Sequence, residues 1–236
     1  MYDIHMHLLP GVDDGAATPE MSLEMIRRAQ AEGIRAIIAT PHSGCASQTE
    51  TRIAVSRLKN AMARESVEMP IYLGCEVACS PRYMDSIIAR LRFGDFLTLN
   101  GTEYVLTEFF PYILPEDAGV CLARLLEAGY RPVIAHAERY SSLAVDEAFF
   151  DHWHQRGCLI QCNTYSFAQE SNPAIVRAAR GLLEHGLVDF LGTDAHRSNH
   201  RPPQAAVGLD WIRAHTEESR FRKITRENPQ TLLNMK

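Results

Sequence analysis

Two histidines flank one methionine near the start of the chain, His5 and His7 in "DIHMHLLPGVDDG", and Asp13 and Asp14 follow a few residues later. Side chains of the same chemical type recur far downstream. They are His42 in "IIATPHS", Glu76 in "YLGCEV", Glu108 in "YVLTEFF", His136 in "PVIAHAER", and Asp194 with His196 in "FLGTDAH". Imidazole and carboxylate without thiolate suit Mn, Fe, Zn or Mg in an open site better than a closed structural zinc site. The donors outnumber what one four-coordinate ion needs, so the set points to two or three divalent ions, with a carboxylate such as Glu76 shared between two. Closely spaced ions can share a water, lower its pKa and make a hydroxide nucleophile. His152, His154, His185, His200 and His215 read instead as solvated or locally hydrogen-bonded.

These residues need elements that bring them together. Short apolar runs read as strands at Tyr2–His5, Ala36–Thr40, Ile71–Val77, Tyr104–Phe109, Pro132–His136, Cys158–Asn163 and Val188–Thr193. Helical stretches lie between them, at Pro19–Glu32 with Thr18 as cap, and over about 50–65, 81–91, 116–128, 146–156, 173–185 and 203–216. Repeated strand-helix units favour a parallel sheet covered by crossover helices; a barrel and an open doubly wound sheet both fit. Six of the seven strands deliver a His, Asp or Glu at or near their C-terminal ends. In α/β barrels that face gathers catalytic groups from distant parts of the chain.

The totals narrow the classes. A chain of 236 residues with 46% hydrophobic composition fits one sizeable domain. A net charge of -5 without a long basic block argues against a nucleic-acid partner. No apolar run is long enough to span a bilayer and no signal peptide is evident, so we expect a cytoplasmic protein without stable membrane insertion. Cys45, Cys75, Cys79, Cys121, Cys158 and Cys162 form no C-x-x-C pair and read as reduced, partly buried thiols. None has an arginine at the spacing of a cysteine-dependent phosphatase loop. There is no GxGxxG after the first strand and no GxxxxGK[ST] loop. Oligomeric state is not legible.

The motifs "HMH", "TPH", "AHAER" and "DAH" resemble those of the polymerase-and-histidinol-phosphatase (PHP) superfamily. Within it, "DIHMHLLPGVDDG", "IRAIIATPH", "YVLTEF", "PVIAHAERY" and "DAHRSNHRPP" look like the bacterial PHP-type protein-tyrosine phosphatases of capsule and exopolysaccharide clusters. The resemblance runs from residue 1 to about 233, where "ENPQTLL" matches the group's C-terminal segment. It implies a distorted TIM-like (β/α)7 barrel, a single domain over residues 1–236, and three metal ions, with manganese expected and iron, zinc or magnesium compatible. By motif, one ion would take His5, His7, Glu76 and Asp194. A second would share Glu76 and take Glu108 and His136. A third would take Asp14, His42 and His196. Histidinol phosphatases of the superfamily usually carry histidines in the roles of Asp14 and Glu108, which tilts the reading towards the tyrosine-phosphatase branch. Asp13 stays unassigned, with orientation of its loop as the one role offered. Ala137 stands where the family commonly has proline, a change of backbone stiffness and not of ligand.

In that branch Arg139 and Arg201 assist the phosphate, and a planar guanidinium fork suits its outer oxygens. The implied activity is hydrolysis of phosphotyrosine by a metal-bridging hydroxide attacking in line with the tyrosine oxygen. Tyrosinate, whose conjugate acid has a pKa near 10, leaves without a strong general acid. The implied substrate is the tyrosine-rich tail of a bacterial tyrosine autokinase that controls polysaccharide export. Two rivals are a small-molecule phosphomonoesterase, such as a histidinol phosphatase, and a non-catalytic metal-stabilised regulatory module. Phe110, Tyr112, Tyr165 and Phe167 follow the fourth and sixth strands and are candidates to flank a phosphotyrosine ring.

Overall fold

In the chain order of a computed structural model, which describes residues 1–143, 147–168 and 170–233, short buried strands alternate with amphipathic helices. The strands are β1 (Tyr2–Met6), β2 (Ala36–Ala39), β3 (Ile71–Leu73), β4 (Glu76–Ala78), β5 (Tyr104–Glu108), β6 (Arg131–Ile134), β7 (Leu159–Asn163) and β8 (Phe190–Gly192). All the strand pairs are parallel, in the orders β1-β2-β3 and β4-β5-β6-β7-β8.

The two sheets join at both ends. The Asp194 N–H donates to His5 O at 2.8 Å and the His7 N–H to Ala195 O at 2.9 Å, which lays the end of β8 against β1. At the other junction the Glu76 N–H donates to Pro41 O and the Ser43 N–H to Glu76 O, so β4 pairs with the extension of β2. The result is the expected distorted barrel, with one correction. The strand read over Ile71–Val77 is broken at Gly74 and Cys75. The Cys75 N–H leaves the ladder for Leu97 O, 3.1 Å away, and a side chain at Gly74 would press on Leu99. Glu76 therefore opens the second piece rather than closing the first.

The helices are α1 (Pro19–Ala31), α2 (Gln48–Arg64), α3 (Met84–Phe93), α4 (Pro115–Glu127), α5 (Glu147–Gln155), α6 (Pro173–Glu184) and α7 (Ala206–His215). Thr18 caps α1 as expected. A Ser47–Glu50 capping box starts α2 two residues earlier than its composition suggests. Glu32, just past α1, accepts the Ala205 and Ala206 N–H groups and sets the start of α7 at 206 rather than 203. Residue 146, read as the start of the fifth helix, lies outside the described residues. Past α7 the sequence reading assigns nothing, but the chain continues as α8 (Glu218–Arg222), a π-turn at Lys223–Glu227 and α9 (Asn228–Leu233).

Alternation along the strands divides the core. Ile37, Val105, Ile134 and Leu191 face the helices, while Ile38, Leu106, Val133 and Phe190 cluster with Ile4 inside the barrel. Leu232 and Leu233 of α9 join that inner cluster and close the N-terminal end of the barrel. Burying each contributes roughly 1.5–3 kcal/mol. The opposite end is left to polar side chains. Among the described residues, no helix is long and apolar enough to cross a membrane.

Candidate metal centre

β1 contributes most to the polar end, through an irregularity. Asp3 pairs with Ile37 but Met6 pairs with Ala39, so β1 spends three residues where β2 spends two. Such a bulge re-aims side chains. Ile4 joins the inner apolar cluster while His5, next in sequence, reaches the polar end. Buried Asp3 pins the arrangement, accepting the N–H groups of His5 and Thr193 and the Thr193 hydroxyl. Burial pushes its carboxyl up to about 6 against those donors.

His5 Nε2 lies 3.3 Å from Glu76 Oε2 and 3.6 Å from Asp194 Oδ1. His7 Nε2 lies 3.3 and 3.5 Å from the same two oxygens. These four buried atoms lie close together, with Asp194 Oδ1 beside the two histidines. Three of them, His5 Nε2, His7 Nε2 and Glu76 Oε2, have no hydrogen-bond partner. Buried polar atoms are rarely left so, because each forfeits its hydration. A divalent cation among them satisfies all three at once, so these residues fit a metal.

The remaining expected residues extend the cluster outwards. His136 Nε2 is 2.9 Å from Glu76 Oε1 and 3.8 Å from Glu108 Oε1. Asp14 Oδ1 is 3.6 Å from both His42 Nε2 and His196 Nε2. His42 Nδ1 turns inward, 3.0 Å from Glu76 Oε2 and 3.6 Å from Glu108 Oε2. Donor atoms within 4.8 Å of one another form three groups: His5, His7 and Glu76; His42, Glu76 and Glu108; and His7, Asp14, His42 and His196. The grouping differs from the motif assignment: His7 and His42 each stand between two groups, and the expected ligands Asp194 and His136 lie beside the groups and in none of them.

The electrostatics match a cation site. Burial alone would lower His5, but Glu76 and Asp194 raise it to about 9. His7 also stands well above its ordinary value despite burial, held there by Asp13, Asp194 and Glu76. Burial opposes the ionisation of Glu76 and Asp194, yet the surrounding histidines keep both well below the usual carboxylate range. Glu108 is raised by burial and by the charge of Glu76. Burial and the neighbouring His7 push His196 down to about 4, leaving it a neutral donor. Protons and metal ions compete for such a site.

A supporting layer fixes these groups. Asp13, unassigned from sequence beyond its loop, binds His7 Nδ1 at 2.7 Å and accepts the His42 and Gly15 N–H groups. β7, the one strand whose expected end carries no His, Asp or Glu, supplies Gln161 and Asn163. Gln161 Oε1 accepts the His136 N–H at 2.9 Å and lies 3.1 Å from His5 Nδ1. Its Nε2 donates to Asn163 Oδ1, and Asn163 Nδ2 donates to Asp194 Oδ2. A pattern of His, Asp and Glu passes over this pair, because here the neutral amides act as hydrogen-bond partners of the ligand residues. Their signal was two polar residues in alternation on an otherwise apolar strand. Glu138 accepts the Asn163 N–H and the Ser166 hydroxyl. Ala137 is buried in the 3₁₀ turn Ala137–Arg139 and touches no donor role.

Both expected arginines arrive. Arg139 Nη1 donates to Asp194 Oδ2 at 2.8 Å, and Arg201 Nη2 donates to the same oxygen. Both guanidiniums are half-exposed, at the rim of the cluster. His136, Asp194 and Arg201 all hold left-handed backbone, with φ of 34°, 53° and 54°. Such strain in non-glycine residues concentrates at functional sites. Among the aromatics, Phe167 is buried and stacks on Trp211, so it is core. Phe110 and Tyr112 are over four-fifths exposed, and Tyr165 is 37% exposed. His185 and His215 take local partners, as expected, whereas His154 reaches Asp189, 35 residues away in sequence.

Known proteins share this architecture. The CpsB/CapC capsular polysaccharide synthesis model matches residues 1–234. Tyrosine-protein phosphatase CpsB of Streptococcus agalactiae serotype III is 30% identical over 242 residues, 99% of this chain and 98% of its own. Tyrosine-protein phosphatase YwqE of Bacillus subtilis is 32% identical over 205 residues, 85% of this chain and 79% of its own. A chain from the crystal structures of YwqE from Bacillus subtilis and CpsB from Streptococcus pneumoniae, described as unique metal-dependent tyrosine phosphatases, superposes with a TM-score of 0.89. It is 30% identical, with 100% of this chain and 95% of that chain covered. Beta-aspartyl dipeptidase of Fervidobacterium islandicum AW-1 shares the fold alone, at a TM-score of 0.60 and 14% identity over 98% of this chain and 72% of that one.

Proposed function

The chain belongs to the CpsB/CapC family, and from that premise we propose that it is a metal-dependent protein-tyrosine phosphatase. One observation carries the reading beyond kinship. Orphaned buried donors from His5, His7 and Glu76 lie beside two half-exposed guanidiniums that converge on Asp194. We assign His5, His7, Asp14, His42, Glu76, Glu108, His136, Asp194 and His196 to two or three divalent ions, manganese first.

Such ions supply water activation at neutral pH and offset phosphate charge. The chain's own residues do the rest. Arg139 and Arg201 each carry five N–H donors, and the bond to Asp194 leaves several to grip a phosphate's outer oxygens. Asp13 holds the His7 ring and Gln161 the His5 ring, while Gln161 also anchors the His136 backbone, so much of the donor set is positioned before substrate arrives. Half-buried Glu108 and His42 and exposed Asp14 leave the outer edge of the cluster open to a substrate. The tyrosine oxygen is a fair leaving group, and no general acid is assigned. We place the whole of residues 1–236 in one domain acting in the cytoplasm. The substrate we favour is the phosphorylated tail of a bacterial tyrosine autokinase in capsule or exopolysaccharide regulation.

The test is parallel turnover of a phosphotyrosine peptide and histidinol phosphate with Mn, followed by exhaustive chelation. Peptide turnover that disappears with the metal is expected. Undiminished turnover after chelation overturns the reading, and preference for histidinol phosphate hands the site to the small-molecule alternative.

A further inference from the structure

Beside Asp194 a cavity of about 170 Å³ opens at the rim of the barrel. Arg139, Asp194 and Arg201 line one part of it; Tyr165, Ile175 and Pro202 supply apolar walls. Its size is below the roughly 300 Å³ at which pockets for drug-sized ligands begin, which suits a single ring. The wall is rigid. Tyr165 sits in the 3₁₀ turn Thr164–Phe167, and that turn is tied down at three points. The Ser166 hydroxyl donates to Glu138, the Thr164 hydroxyl donates to Gln204 O, and Arg180 donates to Phe167 O. α7 packs so closely on it that a side chain at Gly208 would collide with the Thr164 carbonyl. Phe110 and Tyr112, by contrast, stand out into solvent and offer a ring no fixed wall.

We propose that the cavity bounded by Arg139, Tyr165, Ile175, Arg201 and Pro202 is an aryl subsite. A phosphotyrosine ring lies there against Tyr165 while its phosphate turns towards the two guanidiniums. The inference rests on the phosphatase reading and adds to it the selection of aryl over alkyl phosphate esters. A preformed aromatic wall stacks on a ring at little ordering cost, and guanidiniums favour an aromatic face nearby.

Phenylphosphonate and methylphosphonate share a head group and differ in the ring, so their binding to the Mn-loaded protein by calorimetry isolates the subsite. The native protein should bind phenylphosphonate more tightly. Tyr165→Ala should reduce that preference about three- to tenfold, the range for one lost aromatic partner. Tyr165→Phe, which keeps the ring, should restore it. Ile175→Trp, which fills the cavity, should weaken phenylphosphonate and spare methylphosphonate. Equal binding of the two phosphonates by the native protein, or a preference that survives both Tyr165→Ala and Ile175→Trp, overturns the subsite. Turnover of phosphotyrosine peptide by the native protein then tells whether the phosphatase reading has failed with it.

Discussion

The two ends of the barrel are built from the same strands and do opposite work. At the N-terminal end Leu232 and Leu233 cluster with Ile4 and Phe190, and the Asn100 and Asn228 amides donate to the backbone carbonyls of Leu232 and Asp189. At the C-terminal end buried carboxylates and imidazoles crowd together with strained backbone and unpartnered atoms. β8 shows both within a few residues. Asp189 at its start accepts the Ile160 N–H and pairs with His154. Asp194 past its end faces His5, His7, Asn163 and two arginines. A buried charge stabilises little once its desolvation is counted, so the apolar end must hold the fold that the polar end strains.

Substitutions at the two ends should therefore separate chemistry from folding. The largest effect is expected from Glu76→Gln, which should cut phosphotyrosine turnover by at least about a thousandfold while circular dichroism stays native. Retained turnover would remove Glu76 from the shared position. Next, Leu232→Ala should cost about 2–4 kcal/mol in urea unfolding, with KM of the folded fraction unchanged. A shifted KM would mean that the two ends are coupled. Gln161→Leu tests the layer between them. It should weaken metal binding about 10–100-fold in a chelator competition without large loss of stability; unaltered affinity would reduce Gln161 to filling space.

The smallest effect concerns His154. Its bond to Asp189 raises its pKa above 6.5 against partial burial. Its contribution to stability is then fully present below about 6.5 and fades as pH rises through the folded value. His154→Ala should lower stability by less than about 1 kcal/mol near pH 6, since the side chain is about a third exposed, and by less than that once pH exceeds the folded value. A gap that widens with pH would reverse the sign and refute the pairing.

Much of the site was legible because metal chemistry draws on few residue types and parallel strands send them to one rim. His5, His7, His42, Glu76, Glu108, His136, Asp194 and His196 stood at or near strand ends in the sequence, and they meet in space. What was not legible has physical reasons. Gln161 and Asn163 act through amide hydrogen bonds, which no metal pattern records. The break at Gly74 and Cys75 depends on Leu97 and Leu99, some twenty residues away in sequence. The left-handed backbone of His136, Asp194 and Arg201 has no glycine to announce it. Residues 218–233 bury their leucines inside a barrel built by other segments, so their local pattern did not disclose the plug.

The seam between β8 and β1 has a consequence for how the protein is made. His5 and His7 are synthesised about 190 residues ahead of Asp194 and His196, which complete their half of the cluster. At ordinary translation speeds the interval is roughly 10–40 s. Through that time the nascent chain carries exposed imidazoles but no assembled cluster. The cluster cannot close until Asp194 and His196 have been made, and its hydrophobic plug not until Leu233 has, so chemistry and closure of the barrel are completed in that order.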